Sequence, residues 1–246
     1  MKNRILLQLL LCFVMTACHH NRFVVTDIIA MDIAPKPTNI DNARLYEDSS
    51  YVVSRTCSGE FGGTVIFTDK QTGDRYASEA NCPVAVNKVN GVYYVTCTRA
   101  HMLGRTRVLE IANPKSMAMH VPPKLEDELG RPRRMIIGED ESVSTQGTIT
   151  LVDSVGVLAL ASFVYDDKLY HIVAAFDHTD VASIRGNRLA RVCSLSDESL
   201  STYSPQMIVG DDGHMRVWFS NTKTEGFLDI YGNQISINRR LTPMRK

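Results

Sequence analysis

Polar side chains recur directly after apolar, strand-like runs of the chain, and their types are those that recognise anions and sugars. The candidate ligand-binding residues in these positions are Arg55, Arg99, His101, Arg105, Tyr165, Asp166 and Asn221. Guanidinium groups bind carboxylates through two parallel hydrogen bonds, and tyrosine and asparagine side chains hydrogen-bond to sugar hydroxyls. If equivalent loops converge on one face, these residues predict a site for an anionic or hydroxyl-rich ligand.

Signatures of common enzymes do not occur in the chain. It contains no G-x-S-x-G elbow, no H-E-x-x-H pair and no phosphate-binding loop. A glycosidase needs two carboxylates across the scissile bond, and the candidates are Glu60, Asp166, Asp167 and Asp212, whose separation the sequence does not fix. The histidines are too scattered to define metal ligands. We therefore assign no catalytic residue, no metal and no cofactor.

Four cysteines follow the N-terminal segment, namely Cys57, Cys82, Cys97 and Cys193, and they lack the paired C-x-x-C spacing of a zinc site. Cys82 and Cys97 flank a hairpin at 89–91. A four-residue loop would place these two cysteines opposite each other, whereas a two-residue turn would leave them diagonal. We predict a Cys82–Cys97 disulfide, with Cys57–Cys97 as the alternative pairing.

The elements that must position these residues are predicted to be β-strands. Short runs rich in Val, Ile, Tyr, Phe and Thr alternate with Asn, Asp and Gly turns. Four hairpins recur at 47–49, 89–91, 153–156 and 211–213, each followed by a third apolar run and a more polar fourth stretch. Their turns are spaced by 42, 65 and 57 residues, measured between Ser49, Gly91, Gly156 and Gly213. Tight turns at 68–74 and 231–233 are predicted to join third strands to fourth strands, because Gly and Asn tolerate the positive φ that such turns require.

Four-stranded meanders at such spacing favour an all-β, single-domain β-propeller of four or five blades over residues 39–246. A β-sandwich or another double-sheet fold is the alternative. Residues 18–38 are predicted to form a tether and an early strand, RFVVTDIIAMDI, that pairs with the last unit and covers its edge.

The last hairpin, SPQMIVGDDGHMRVWFSN, resembles the blades of the neuraminidase-repeat and related carbohydrate-active propellers, in which an apolar strand, an Asp-Gly turn and an aromatic strand follow one another. The resemblance implies a propeller fold and, as one function, a carbohydrate-active hydrolase. Trp218 lies five residues after Gly213, so the segment lacks the Asp box of that superfamily. No catalytic residue is carried over from it.

The N-terminal segment MKNRILLQLLLCFVMTAC has the order of a secretory signal. Lys2 and Arg4 precede an apolar run over 5–15, which is shorter than the roughly 20 residues of a membrane-spanning helix. Residues 15–18 resemble the lipobox of bacterial lipoproteins, with Met15 at the place usually taken by Leu, Val or Ile. The resemblance implies a signal peptide over 1–17 and lipidation of Cys18. The alternative is a cleavable signal followed by an incidental cysteine.

Residue 19 is His, and in lipoproteins an Asp at that place is the common signal for the inner membrane, so an outer-membrane location is implied, on the periplasmic or the surface side. Without Lys2 and Arg4 the chain has 25 basic and 27 acidic residues, a net charge of −2, which argues against nucleic acid as a partner. We expect a lipid-anchored, non-catalytic binding or interaction module, whose partners are membrane lipid, through the anchor, and a glycan or an envelope protein. The alternatives are a propeller-type hydrolase and a structural envelope component.

Overall fold

The chain is all-β throughout the residues that the computed structural model describes. These residues are 22–30, 33–36, 43–57, 59, 62–122, 124, 126, 130–132, 138, 140–203 and 205–241. Within these ranges there are eighteen strands, and Pro114–Ser116 forms a short 3-10 turn. No helix in the described part of the chain has the length and apolar character needed to cross a membrane. Cys18 and the expected signal peptide lie outside the described residues.

The strands form four sheets of four or five strands, which we number in chain order. Sheet 1 contains β2 (Arg44–Glu47), β3 (Tyr51–Cys57), β4 (Gly63–Asp69), β5 (Arg75–Glu79) and β9 (Ala118–Met119). Sheet 2 contains β6 (Pro83–Val89), β7 (Val92–Arg99), β8 (Arg105–Ile111) and β10 (Ile149–Val155). Sheet 3 contains β11 (Leu158–Tyr165), β12 (Lys168–Ala174), β13 (Thr179–Arg185) and β14 (Arg188–Ser196). Sheet 4 contains β15 (Gln206–Val209), β16 (Met215–Ser220), β17 (Thr224–Tyr231), β18 (Gln234–Leu241) and β1 (Val24–Ile29).

Sheets 1 and 4 follow the meander predicted from the sequence. In each, four consecutive strands pair antiparallel with their neighbours, and the turns at 70–74 and 232–233 join the third strand to the fourth as predicted. The early strand β1 pairs with β18, also as expected, and the two strands run parallel. β1 therefore covers the edge that β18 would otherwise expose.

The hairpin predicted at 153–156 is wrong. β10, before this turn, hydrogen-bonds to β8 and completes sheet 2, whereas β11, after it, begins sheet 3. Side-chain hydrogen bonds hold the crossing in place, because Thr106 Oγ1 donates to the carbonyl of Val157 and Thr98 Oγ1 donates to the carbonyl of Ala159. As a result β11 is the first strand of its sheet instead of the second. It therefore runs in the direction opposite to the one predicted, and its C-terminal end lies at the opposite end of the sheets.

The core consists of two apolar layers and a more polar one. Phe67, Tyr93 and Leu109 belong to a buried cluster between sheets 1 and 2, and a second cluster between sheets 3 and 4 contains Phe163 and Leu228. Sheets 2 and 3 meet through smaller and polar side chains: Ser162 Oγ accepts hydrogen bonds from Asn87 Nδ2 at 2.7 Å and from Thr96 Oγ1 at 2.9 Å. The first strands also touch across sheets, since β6 contacts β2, β11 and β15.

The assembly has two distinct ends. At the turn end, tight turns close the hairpins at 90–91, 166–167 and 232–233, and cross-sheet bonds join Lys88 and Tyr93 to Asp48 and Arg22 to Asp166. At the loop end lie the longer connections 100–104, 175–178 and 221–223. β1 begins at the turn end, because the amide of Val24 donates to the carbonyl of Asn233.

The disulfide joins Cys57 to Cys82, with 4.5 Å between their Cα atoms, so the predicted Cys82–Cys97 bridge and its Cys57–Cys97 alternative are both wrong. The hairpin closes with the two-residue turn Asn90-Gly91, and in this register Cys97 lies opposite Pro83. Cys82 is one residue further along the chain from the turn and therefore does not face Cys97. Cys57 pairs with Gly63, whose missing side chain leaves room for the backbone of Cys82. Cys97 is a buried free thiol and Cys193 a half-buried one.

Candidate functional site

A small polar cavity of about 60 Å³ lies between sheets 1 and 2 at the loop end, and we call it the arginine pocket. Its lining residues are Glu79, Asn81, Cys97, Arg99, Arg105 and Arg107. The register of β7 and β8 brings the arginines together, because Arg99 pairs with Arg105 and Cys97 with Arg107. Side chains two residues apart on a strand share a face, so Arg105 and Arg107 point to the same side.

Two of the three arginines are already neutralised by carboxylates. Arg105 Nε donates to Asp153 Oδ1 at 2.6 Å, and its Nη2 donates to Asp153 Oδ2 at 2.5 Å. Arg107 Nη1 donates to Glu79 Oε1 at 2.8 Å. The hydrogen bonds from Arg105 lower the pKa of Asp153, and the same contact raises the pKa of Arg105. Three cations against two carboxylates leave an excess of one positive charge around the pocket.

Arg99 supplies that excess charge. Its Nε is buried and has no hydrogen-bond partner among the described residues, and its guanidinium makes no ion pair with them. Asn81 Oδ1, in the same pocket, is also buried without a partner. Leaving a buried polar group unpaired costs about 1–3 kcal/mol, and more for a charged one. The pocket therefore presents a donor that lacks an acceptor and an acceptor that lacks a donor.

A wider cleft of about 350 Å³ lies beside the arginine pocket, and we call it the loop-end cleft. It is lined by Ala43, Arg55, Cys57, Val84, Thr98, Tyr203 and Pro205, so residues of sheets 1 and 2 and the segment before sheet 4 all reach it. Arg55 Nη1 donates to the carbonyl of Pro83. Burial lowers the pKa of Arg55. Arg55, which lines the cleft, also interacts electrostatically with Cys97, which lines the arginine pocket, so the two cavities are neighbours.

The sulfur groups nearby are not suited to nucleophilic chemistry. Cys57 and Cys82 are joined to each other, and burial raises the pKa of Cys97 to about 12. Because the thiolate is the reactive form of cysteine, Cys97 is held as an inert thiol at neutral pH. The Cys57–Cys82 bridge thus fastens β3 to the start of β6 at the loop end, and Cys97 is a buried packing residue.

Comparisons with known proteins do not identify the chain. Neither a scan against protein-family models nor a search for curated relatives gives a match. In the described ranges, no group of three or more His, Cys, Asp or Glu residues is arranged to hold a metal ion.

The predicted site residues fall into two groups. Arg55, Arg99 and Arg105 meet at the loop end, at the loop-end cleft and the arginine pocket. His101 is exposed in the 100–104 loop, also at this end. Asn221 lies at the loop end as well, where its Oδ1 accepts from the backbone amides of Lys223 and Thr224 and its Nδ2 donates to the carbonyl of Ser199. Asn221 is therefore engaged in shaping its own loop.

Tyr165 and Asp166 do not join the arginines, so the expectation that all these loops share one face is wrong. Both residues lie at the turn end, because β11 is the first strand of sheet 3 and runs away from the loop end. Asp166 has a positive φ of 51° in the hairpin turn and forms an ion pair with Arg22 at 2.7 Å. The ring of Tyr165 packs against that of Phe23, at 5.6 Å between their centroids.

Sequence reasoning missed three pocket residues, namely Glu79, Asn81 and Arg107. Arg107 begins the run RVLEIAN, whose apolar residues indicate a strand and give no sign of a site. The signal that was present is the period of two: Arg105 and Arg107 must share one face of β8, and a hairpin across 100–104 brings that face next to Arg99. Glu79 and Asn81 come from the neighbouring sheet, and the sequence carries no local sign of that contact.

Proposed function

We propose that this chain is a non-catalytic binding module, tethered to the outer membrane through Cys18, that holds an acidic glycan by a carboxylate at its loop end. The observation that carries the proposal is the buried, unpaired Nε of Arg99 within the arginine pocket. A carboxylate accepts from a guanidinium in a charge-assisted hydrogen bond, and it matches the single excess positive charge of the pocket.

The second unpaired atom, Asn81 Oδ1, favours a sugar acid over a plain carboxylate. An amide oxygen accepts hydrogen bonds, and a hydroxyl next to the bound carboxylate would supply the donor. A volume of about 60 Å³ suits the acid group and its neighbouring hydroxyl, and not a whole sugar ring. The remainder of the glycan would extend into the loop-end cleft, where Arg55 and Tyr203 line the wall.

Binding fits the electrostatics of the pocket better than hydrolysis does. A glycosidase needs a carboxylic acid whose pKa is raised so that it can protonate the leaving group. Arg105 instead lowers the pKa of Asp153, and Glu79 is ion-paired with Arg107. Asp153 is thus held in its anionic form and Glu79 is engaged by Arg107, an arrangement that supports an arginine framework for binding.

The four sheets support a four-bladed propeller as the finer description of the fold. In that arrangement β2, β6, β11 and β15 are the inner strands around one axis. The contacts of β6 with the other three strands favour it, and so does the loop-end cleft, which residues of sheets 1 and 2 and the segment before sheet 4 line together. The arginine pocket would then lie between the first two blades.

The tether gives the pocket a direction. Because β1 begins at the turn end, a lipid anchor at Cys18 leaves the arginine pocket pointing away from the membrane. A Cys18→Ala variant is expected to leave the outer-membrane fraction, and mass spectrometry of the unaltered protein should show lipid on the mature N-terminus. Membrane partition of the variant equal to that of the unaltered protein would overturn the anchoring part of the proposal.

Calorimetric titration of the intact protein with glucuronate and with glucose tests the ligand-binding part. The two sugars differ at one carbon, which bears a carboxylate in glucuronate and a hydroxymethyl group in glucose, so saturable binding of glucuronate alone is expected. Arg99→Ala should weaken that binding about tenfold or more, because a hydrogen bond to a charged group is worth about 1.5–3 kcal/mol.

Arg188→Ala is the matched control, since Arg188 is an exposed arginine at the turn end. It should bind glucuronate like the unaltered protein. Equal binding of glucuronate and glucose, or equal losses in the two variants, would contradict a carboxylate site at Arg99.

A further inference from the structure

A second and larger cavity, of about 560 Å³, lies at the turn end, and we call it the turn-end groove. Residues of sheets 2 and 3 line it together with Arg22. Its apolar lining side chains are Val89, Tyr94, Leu151, Leu169, Tyr170, Ile184 and Val192. A volume in this range is typical of sites for small molecules, which are lined mainly by apolar residues with a few polar groups.

The apolar walls of the groove are incompletely covered. Leu151, Leu169 and Ile184 are only half-buried, whereas apolar residues elsewhere on the same sheets, such as Leu109 and Ile172, are fully buried. Apolar surface left in contact with water is unfavourable in proportion to its area. An apolar ligand seated between the two sheets would recover that free energy.

Positive charge predominates at the rim of the groove. Arg22, Lys168 and Arg185 line it together with one carboxylate, Asp167. Arg22 is engaged by Asp166 and lies 5.6 Å above the ring of Tyr170. Lys168 and Arg185, by contrast, have no side-chain hydrogen bond or ion pair with any residue that the structure describes. These two exposed cations are available to an anionic group at the mouth.

We propose that the turn-end groove binds a single-chain anionic amphiphile of the fatty-acid class, with its acyl chain against the apolar walls and its head group at Lys168 and Arg185. The site lies at the opposite end of the molecule from the arginine pocket, so it goes beyond the proposed function. One supporting point does rest on the proposed tether. Three residues lie between Cys18 and Arg22, and the four Cα–Cα steps span at most about 14 Å, which would keep the groove close to membrane lipid.

The test is a fluorescence titration of the intact protein with dansyl-labelled undecanoic acid, kept below the concentration at which it forms micelles. We expect a saturable rise in emission that laurate reverses and that dodecyltrimethylammonium, with the same chain length and the opposite charge, does not. The double variant Lys168→Glu/Arg185→Glu should bind the probe at least tenfold more weakly. Lys223→Glu, which alters an exposed cation at the loop end outside the groove lining, should bind it as the unaltered protein does.

Ile184→Asp places a charge in the apolar wall and leaves the rim cations unchanged, so it should weaken probe binding through the wall alone. Circular dichroism of each variant establishes that it is folded. The absence of saturable binding to the unaltered protein would overturn the proposal. Equal affinities of the Lys168→Glu/Arg185→Glu and Lys223→Glu proteins would overturn it as well. Arg99→Ala should keep full amphiphile binding, and the Lys168→Glu/Arg185→Glu protein should keep glucuronate binding, so a failure at either end of the molecule is distinguishable from a failure at the other.

Discussion

His171 makes the stability of the fold sensitive to acid. Its ring lies on β12, between Ser162 on β11 and Ala182 on β13, and none of its surface is exposed. Neither ring nitrogen has a hydrogen-bond partner among the described residues. Burial lowers the pKa of His171 from 6.5 to about 3, because the charged imidazolium would have to exist without water or a counter-ion.

The folded and unfolded states protonate His171 at different pH values, and this difference sets the direction in which stability changes with pH. Below pH 6.5 the unfolded chain protonates this histidine, whereas the folded chain does so only near pH 3. Protons therefore favour the unfolded state in that window, and the free energy of unfolding falls as the pH falls. Above pH 6.5 the full contribution is present. Between pH 7 and pH 4.5 this single group should remove about 2.5 kcal/mol of stability.

The perturbation that tests this is His171→Leu, which fills a similar volume without a titrating group. At pH 7 the variant should be at least as stable as the unaltered protein, because it removes two buried polar atoms that have no partner, each costing about 1–3 kcal/mol. Urea unfolding at pH 7 and at pH 4.5 should show the unaltered protein losing about 2.5 kcal/mol more than the variant. Parallel losses of stability in the two proteins would refute the reasoning.

Two further predictions concern the elements that frame the site. Cys57→Ala should lower the free energy of unfolding by about 3.5 kcal/mol, which is the loop-closure contribution expected for a bridge across a sequence separation of 25. Non-reducing peptide mapping should recover a Cys57–Cys82 peptide, and this peptide should persist in Cys97→Ala. A Cys82–Cys97 peptide would contradict the assignment. Phe23→Ala should lower the free energy of unfolding by about 3–5 kcal/mol, because the ring is 1% exposed and packs edge-on against Phe163 and Tyr170. Amide hydrogen exchange should then accelerate in β1 first. Unchanged exchange in β1 would argue against Phe23 as the anchor of that strand.

The fold could be read from the sequence where a turn joins neighbouring strands of one sheet. The Asp211-Asp212-Gly213 hairpin and the tight turn at 232–233 are of this kind, and both were predicted correctly. The turn at 153–156 has the same chemistry but crosses from sheet 2 to sheet 3. Local residue types cannot distinguish the two cases, because the difference lies in the partner of β10, which is β8, about forty residues earlier in the chain.

The candidate site was predictable to the same extent. Arg99 and Arg105 follow from a single hairpin, and the structure brings them together. Tyr165 and Asp166 were assigned to the same face through the misplaced β11, so one error in strand order moved two residues to the wrong end. The disulfide depended on the register of a turn and on the approach of Gly63 to Cys82, which is a contact between two sheets. Such contacts leave no local pattern in a sequence.

The parallel pairing of β1 with β18 has a mechanical consequence. Both strands start at the turn end and run side by side over six residue pairs, from Val24 beside Gln234 to Ile29 beside Arg239. Tension between an anchor at the N-terminus and a ligand held at the loop end would pull β1 lengthwise along β18. That geometry shears all six pairs together instead of peeling them apart one by one, and the two charge-assisted bonds between Arg239 and Asp27 resist the same motion. A molecule tethered in this way would be pulled along the β1–β18 strand axis, the direction in which all of these pairs resist the force together.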